Sequence, residues 1–211
     1  MVGSFEESIL RGRMSTAPSR PLDFIAQIGV LGRGKCKPSL RCPPHVSVSF
    51  PAVFYSYGNT TSQPMNNSPS PYVGHIDVEN NFPAYDGKSP SGGCYRIPQQ
   101  GQLQIIIKNP NKTAVKLFLV PYDLSDMEPG QKTFIRQRSF SQTGERPTLR
   151  YLVHLNICSP ARGRYFLYRS IRVVFANRVP DGKDSLRNEV QMPSPRYSAY
   201  NPVIPSTPKK D

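Results

Sequence analysis

From Asp23 onward, apolar and polar residues alternate with a period of two, the spacing of strands that bury one face. Phe24, Ala26 and Ile28 alternate with Ile25, Gln27 and Gly29, and Gly29, Gly32 and Gly34 are expected to break this first strand. Val46, Val48 and Phe50 form a second strand, entered through Pro43-Pro44. Tyr72 to Asp77 reads as a short third. Leu103, Ile105 and Ile107, then Val115, Leu117 and Leu119, flank the turn Asn109-Pro110-Asn111-Lys112 and predict a hairpin. Thr133 to Phe140, Leu149 to Ile157 and Tyr165 to Phe175 complete the pattern, with Ser159 to Gly163 as the last turn.

About eight or nine strands at hairpin spacing predict an all-β domain, an antiparallel sandwich-like sheet or a partly open barrel. Helical periodicity is confined to Phe5–Arg13, which predicts a short N-terminal helix or an extended arm. Ser4 would cap that helix, Glu6 and Glu7 would fill its first turn, and Arg11 and Arg13 would lie near its end. Two polar stretches, 57–71 and 86–93, cannot bury enough apolar surface to order themselves and read as insertions. After residue 178 the alternation stops. Pro193, Pro195, Pro202, Pro205 and Pro208 punctuate 179–211, which is expected to be a disordered tail, with the β-domain spanning 1–178.

Charge sharpens this picture. The chain carries a formal net charge of +13, and ten basic residues against one acid fall between Lys132 and Arg178. Nine of the ten are Arg, whose planar fork suits phosphate and carboxylate. Arg136 and Arg138 are two apart and share a face, and Arg150, Arg164 and Arg172 fall on the non-core faces of the following strands. If those strands are neighbours, the five form a ladder for an anionic partner, with Phe166 and Tyr168 among them as stacking surfaces. Two partner classes stay open at this point: DNA, and acidic or phosphorylated protein segments.

Other chemistry is sparse. His45, His75 and His154 lie on separate strands without metal-ligand spacing. The four cysteines are scattered and form no Cys-x-x-Cys pair, so they read as free thiols, with no metal and no cofactor implied. Asp123, Asp126 and Glu128 form an acidic cluster whose simplest role is turn formation. Gly29 to Gly34 has neither phosphate-loop nor dinucleotide-loop spacing. No catalytic constellation is present, and no small-molecule site is implied. No apolar run approaches the roughly 20 residues that span a bilayer, and residues 3–8 are polar and acidic rather than signal-like. An intracellular chain without membrane partners is expected.

Several segments, in order, resemble the Atos (Atossa) family. These are Gly3-Ser4-Phe5-Glu6-Glu7-Ser8-Ile9-Leu10, Pro69-Ser70-Pro71-Tyr72-Val73-Gly74-His75-Ile76 and Tyr95-Arg96-Ile97-Pro98, followed by Asn109-Pro110-Asn111-Lys112-Thr113-Ala114-Val115-Lys116, Tyr122-Asp123-Leu124-Ser125-Asp126-Met127, Thr133-Phe134-Ile135-Arg136-Gln137-Arg138 and Leu149-Arg150-Tyr151-Leu152-Val153-His154-Leu155. The resemblance runs from about Gly3 to Phe175. It implies a nuclear, non-enzymatic protein linked to transcriptional regulation in animals and to meiotic chromosome segregation in fungi.

Overall fold

The computed structural model describes residues 5–14, 16–55, 71–85, 89–142, 147–176 and 185–201. In chain order the elements are α1 (Phe5–Leu10), β1 (Leu22–Gly32), α2 (Pro38–Arg41), β2 (Val46–Val53), β3 (Tyr72–Asp77), α3 (Val78–Asn81), β4 (Cys94–Ile97), β5 (Gln100–Lys108), β6 (Ala114–Asp123), β7 (Gln131–Ser141), β8 (Thr148–Ala161), β9 (Arg164–Phe175), β10 (Leu186–Gln191) and β11 (Ser198–Ala199). The strands form one sheet in the order β10-β7-β8-β9-β3-β2-β1-β5-β6. Every pairing is antiparallel, as the hairpin spacing predicts. β4 joins β9 end to end with β3, and β11 joins β7 end to end with β10.

The sheet curls into a half-barrel around the inward residues. Ile28, Ile105, Ile107, Leu103, Val153, Leu155 and Val173 are fully buried there. The curl carries edge strand β6 across to β8, so that the Lys116 ammonium sits 3.9 Å from the Tyr151 ring centroid. β6 is apolar on both faces. The structure buries Phe118, Val120 and Tyr122 and leaves Leu117 and Leu119 exposed.

The outer face of β7, β8 and β9 is not simply solvated. α1 lays Ile9 and Leu10 over Leu149, Leu152 and Val174. Farther along the same strands, Phe166 and Tyr168 are buried with Cys94 and Cys158 beneath Tyr200. The two aromatic rings expected to serve as stacking surfaces are therefore covered by the protein's own chain.

Two other expectations are corrected. β1 does not break at Gly29 but runs to Gly32, with Gly29 opposite Gln104. A Cβ there would lie 2.2 Å from the exposed His45 ring, which any larger residue would have to displace. The chain after residue 178 is not uniformly a disordered tail. β10 pairs along β7 from Ser141 to Arg136, and Arg196 and Tyr197 grip Asp126. The acidic cluster thus anchors this returning segment as well as shaping its own turn, where Asp123 accepts from the Ser125 backbone. Residues 57–70, 86–88, 179–184 and 202–211 lie outside the described residues.

Gly74 on β3 marks a tight approach between strand and core. A Cβ there would meet Phe50 Cε2 at 2.3 Å and Val173 Cγ2 at 3.1 Å. Overpacking a rigid ring displaces it or the strand. Gly74→Ala is expected to lower stability by about 2 kcal/mol, read as a lower denaturant midpoint at unchanged slope. A midpoint equal to that of the parent protein would show that the ring has room to move.

Candidate anionic-partner site

Register, rather than sequence spacing, builds the site. Arg136 on β7 lies opposite His154 on β8, His154 opposite Arg172 on β9, and Arg172 opposite His75 on β3. Four strands thus place Arg, His, Arg and His in one outward-facing row. The row grades from buried to open: Arg136 and His154 are each 9% exposed, Arg172 is half-buried and His75 is exposed.

At the buried end the cation is already matched. Arg136 Nη1 donates to Glu7 Oε1 of α1 at 2.8 Å, and Arg136 Nε donates to His154 Nδ1 at 3.3 Å. The hydrogen bond from Arg136 outweighs desolvation and holds the Glu7 carboxyl below its ordinary pKa. Burial, with Arg136 and Arg172 on either side, pushes His154 down to about 4. The ring is neutral at pH 7, which is why its Nδ1 can accept from a guanidinium. Desolvation and Arg172 also lower His75, opposed by Asp77.

At the open end lies a groove of about 710 Å³ between α1 and the edges of β2, β3 and β9. Arg11, Arg13, His75 and Arg172 supply its polar lining, and Ile9, Val53, Tyr55 and Val73 its apolar lining. Arg11 is paired with Glu7 at 3.3 Å, four residues back on the same turn. Arg13 and Arg172 have no carboxylate partner among the described residues.

The five sequence-predicted arginines therefore separate. Arg138 is bound to Glu189 of β10 at 2.9 Å. A bulge sets Phe140 opposite Leu149 and Ser139 opposite Tyr151, making Arg150 the extra residue and displacing it from the row. Arg164 sits at the β8–β9 turn, opposite Ala161 and at the far end of β9 from Arg172. Only Arg136 and Arg172 share a row. The sequence reading missed Glu7, Arg11, Arg13, His75 and His154 as parts of the site. The outward parity of His154 was available as a signal, but its neighbours were not. Among the described residues no three metal-ligating side chains converge.

Fold and site together define an antiparallel β half-barrel with a cationic groove roofed by its own N-terminal helix. The family described as a domain of unknown function matches residues 1–73, and the one described as chromosome segregation during meiosis matches residues 148–200. Arg11 and Arg13 come from the first match and Arg172 from the second. Atos homolog protein A of Xenopus tropicalis is 35% identical, covering 94% of this chain and 21% of that protein. Atos homolog protein B of Bos taurus is 36% identical over 96% of this chain and 35% of its own length. An uncharacterised protein of Schizosaccharomyces pombe is 37% identical over 84% of this chain and 52% of its own length. The chain belongs to the Atos family, and it spans about half or less of the length of these relatives. No solved structure matches it.

Proposed function

We propose that this domain is a non-enzymatic nuclear binding module, acting in transcriptional regulation or meiotic chromosome segregation, that recognises acidic stretches of a protein partner. One observation carries the reading. Arg136 and Arg138 are matched by Glu7 and Glu189, whereas Arg13 and Arg172 open onto a groove with an apolar lining. A groove of mixed apolar and cationic lining suits an extended peptide better than a duplex, which needs a row of phosphate-spaced cations. DNA contact is the second reading. It is supported by Arg162, Arg164 and Arg169 at or near the β8–β9 turn, of which Arg162 and Arg169 are exposed.

The test is fluorescence anisotropy with a labelled Glu-rich peptide and a labelled duplex at about 50 mM and about 200 mM salt. Two double variants separate the sites: Arg13→Ala with Arg172→Gln, and Arg164→Ala with Arg169→Ala. Peptide binding lost in the first pair is the expected result. Duplex binding lost in the second pair would transfer the function to DNA, and binding of neither probe would overturn both readings.

A further inference from the structure

Resting on the reading of an acidic protein partner, we infer that the groove beneath α1 is a phosphate-selective peptide site. In it, Arg172 and Arg13 clasp the phosphate of a phosphorylated side chain, and Val53 and Val73 receive an apolar neighbour.

The argument begins with what the groove leaves unmatched. The acid nearest the row, Glu7, is engaged twice, by Arg11 and by Arg136. The acid nearest His75 is Asp77, and its carboxylate caps α3 by accepting from Asn80. Two guanidiniums therefore border the groove with no carboxylate of their own among the described residues.

Stoichiometry of donors then selects the ligand. Each guanidinium presents a planar fork that takes two oxygens. A carboxylate has two oxygens and one charge, so it fills one fork or gives each of two guanidiniums a single oxygen. A phosphomonoester offers three terminal oxygens and close to two charges, so two forks that share one oxygen are both filled, and the remaining lone pairs can accept from a ring N–H of His75. The structure already displays the one-charge version. At the other end of the row the Glu7 carboxylate takes one oxygen to Arg136 and the other to Arg11. The open end repeats the Arg-and-His pair of the row, and Arg13, which follows α1, lines the same groove.

The apolar lining sets the second requirement. Val53 and Val73 are directly paired on β2 and β3 and line the groove together with Tyr55. A purely charged ligand would leave this surface wet. A segment that places an apolar residue beside its phosphate covers it, which also explains why the site is a groove and not a flat basic patch.

The probes are a peptide library with a fixed central phosphoserine and degenerate flanks, and the same library unphosphorylated. Both are titrated against the full chain, with inorganic phosphate as competitor. The expected result is phosphorylated binding tighter by more than about tenfold, enrichment of an apolar residue beside the phosphoserine, and loss of both on Arg172→Gln. Because Arg172 is half-buried, the exposed Arg13→Ala provides a variant that should leave folding intact and lower affinity by about tenfold. Equal affinity for the two libraries, still weakened by the variants, would overturn phosphate selectivity and leave the acidic-partner reading standing. Phosphopeptide binding insensitive to both variants would overturn the site. Absence of any peptide binding would overturn this inference together with the reading it rests on.

Discussion

Phe175→Ala is expected to lower the unfolding free energy by about 3–5 kcal/mol, among the largest losses a single truncation produces. Phe175 is fully buried near the end of β9. Its ring meets Phe24 edge-on at 4.9 Å and 78°, and stacks on Tyr72 at 5.5 Å and 23°. Tyr72 in turn contacts Phe24 at 5.4 Å and Phe54 at 5.5 Å. These rings come from β1, β3 and β9 and from the residue after β2. They cross the most thinly paired seam of the main strand order, where β2 and β3 pair through Ala52 with Gly74 and Val53 with Val73. The aromatic knot supplies there what the ladder does not, so truncating its centre removes dispersion contacts and opens a cavity at a seam. Urea unfolding measures the loss, with the exposed Leu119→Ala as a near-neutral comparison. A cost below about 1 kcal/mol would mean that the seam is held elsewhere.

Acid is expected to weaken the fold well above the range in which carboxylates titrate. His154 has an ordinary pKa of 6.5 and is held down to about 4 in the folded chain. The unfolded state therefore binds a proton that the folded state refuses. The contribution is fully present above pH 6.5 and is lost as pH falls through about 4. The limiting slope is about 1.4 kcal/mol per pH unit, and the total is about 3 kcal/mol. The groups facing the ring are Arg136 on β7, Arg172 on β9, Glu7 on α1 and Asn156 on its own strand. His75, also lowered, adds in the same direction. Glu7, lowered from 4.5, adds its own loss only at more acid pH. Any fall in stability between pH 6.5 and about 5 thus belongs to the histidines. His154→Gln keeps an acceptor for Arg136 and removes the titration. Its slope across that window should shrink to the smaller contribution left by His75, and an unchanged slope would show that the ring is not held neutral by the row.

Legibility in the sequence followed burial. The inward parity of β1, β5, β8 and β9 could be read directly because one face of each is apolar and buried. β10, with the sequence Leu186-Arg187-Asn188-Glu189-Val190-Gln191, has no such face. It is an edge strand held by backbone pairing to β7 and by the Arg138–Glu189 ion pair, so hydrophobic periodicity could not reveal it. β4 is four residues long, too short to show a period. β6 shows the opposite failure: two apolar faces, with the choice between Leu117 and Phe118 settled only by the direction of the sheet's curl. At the site, the outward positions of Arg136 and Arg172 were readable. The state of Arg136 was not, because its counter-charge Glu7 lies 129 residues away.

The amino-acid sequence by itself determined the class of fold, the hairpin order, the excess of arginine in the second half of the chain and the family. Each of these rests on local spacing, composition or the order of short motifs. Tertiary structure alone decided which arginines are matched and which remain open. That depends on non-local pairing, which brings β3 against β9, sets His75 and His154 on either side of Arg172, and lays α1 across one end of the resulting row. Charge on a strand is a local property. Whether that charge is available to a partner depends on what the rest of the chain folds over it.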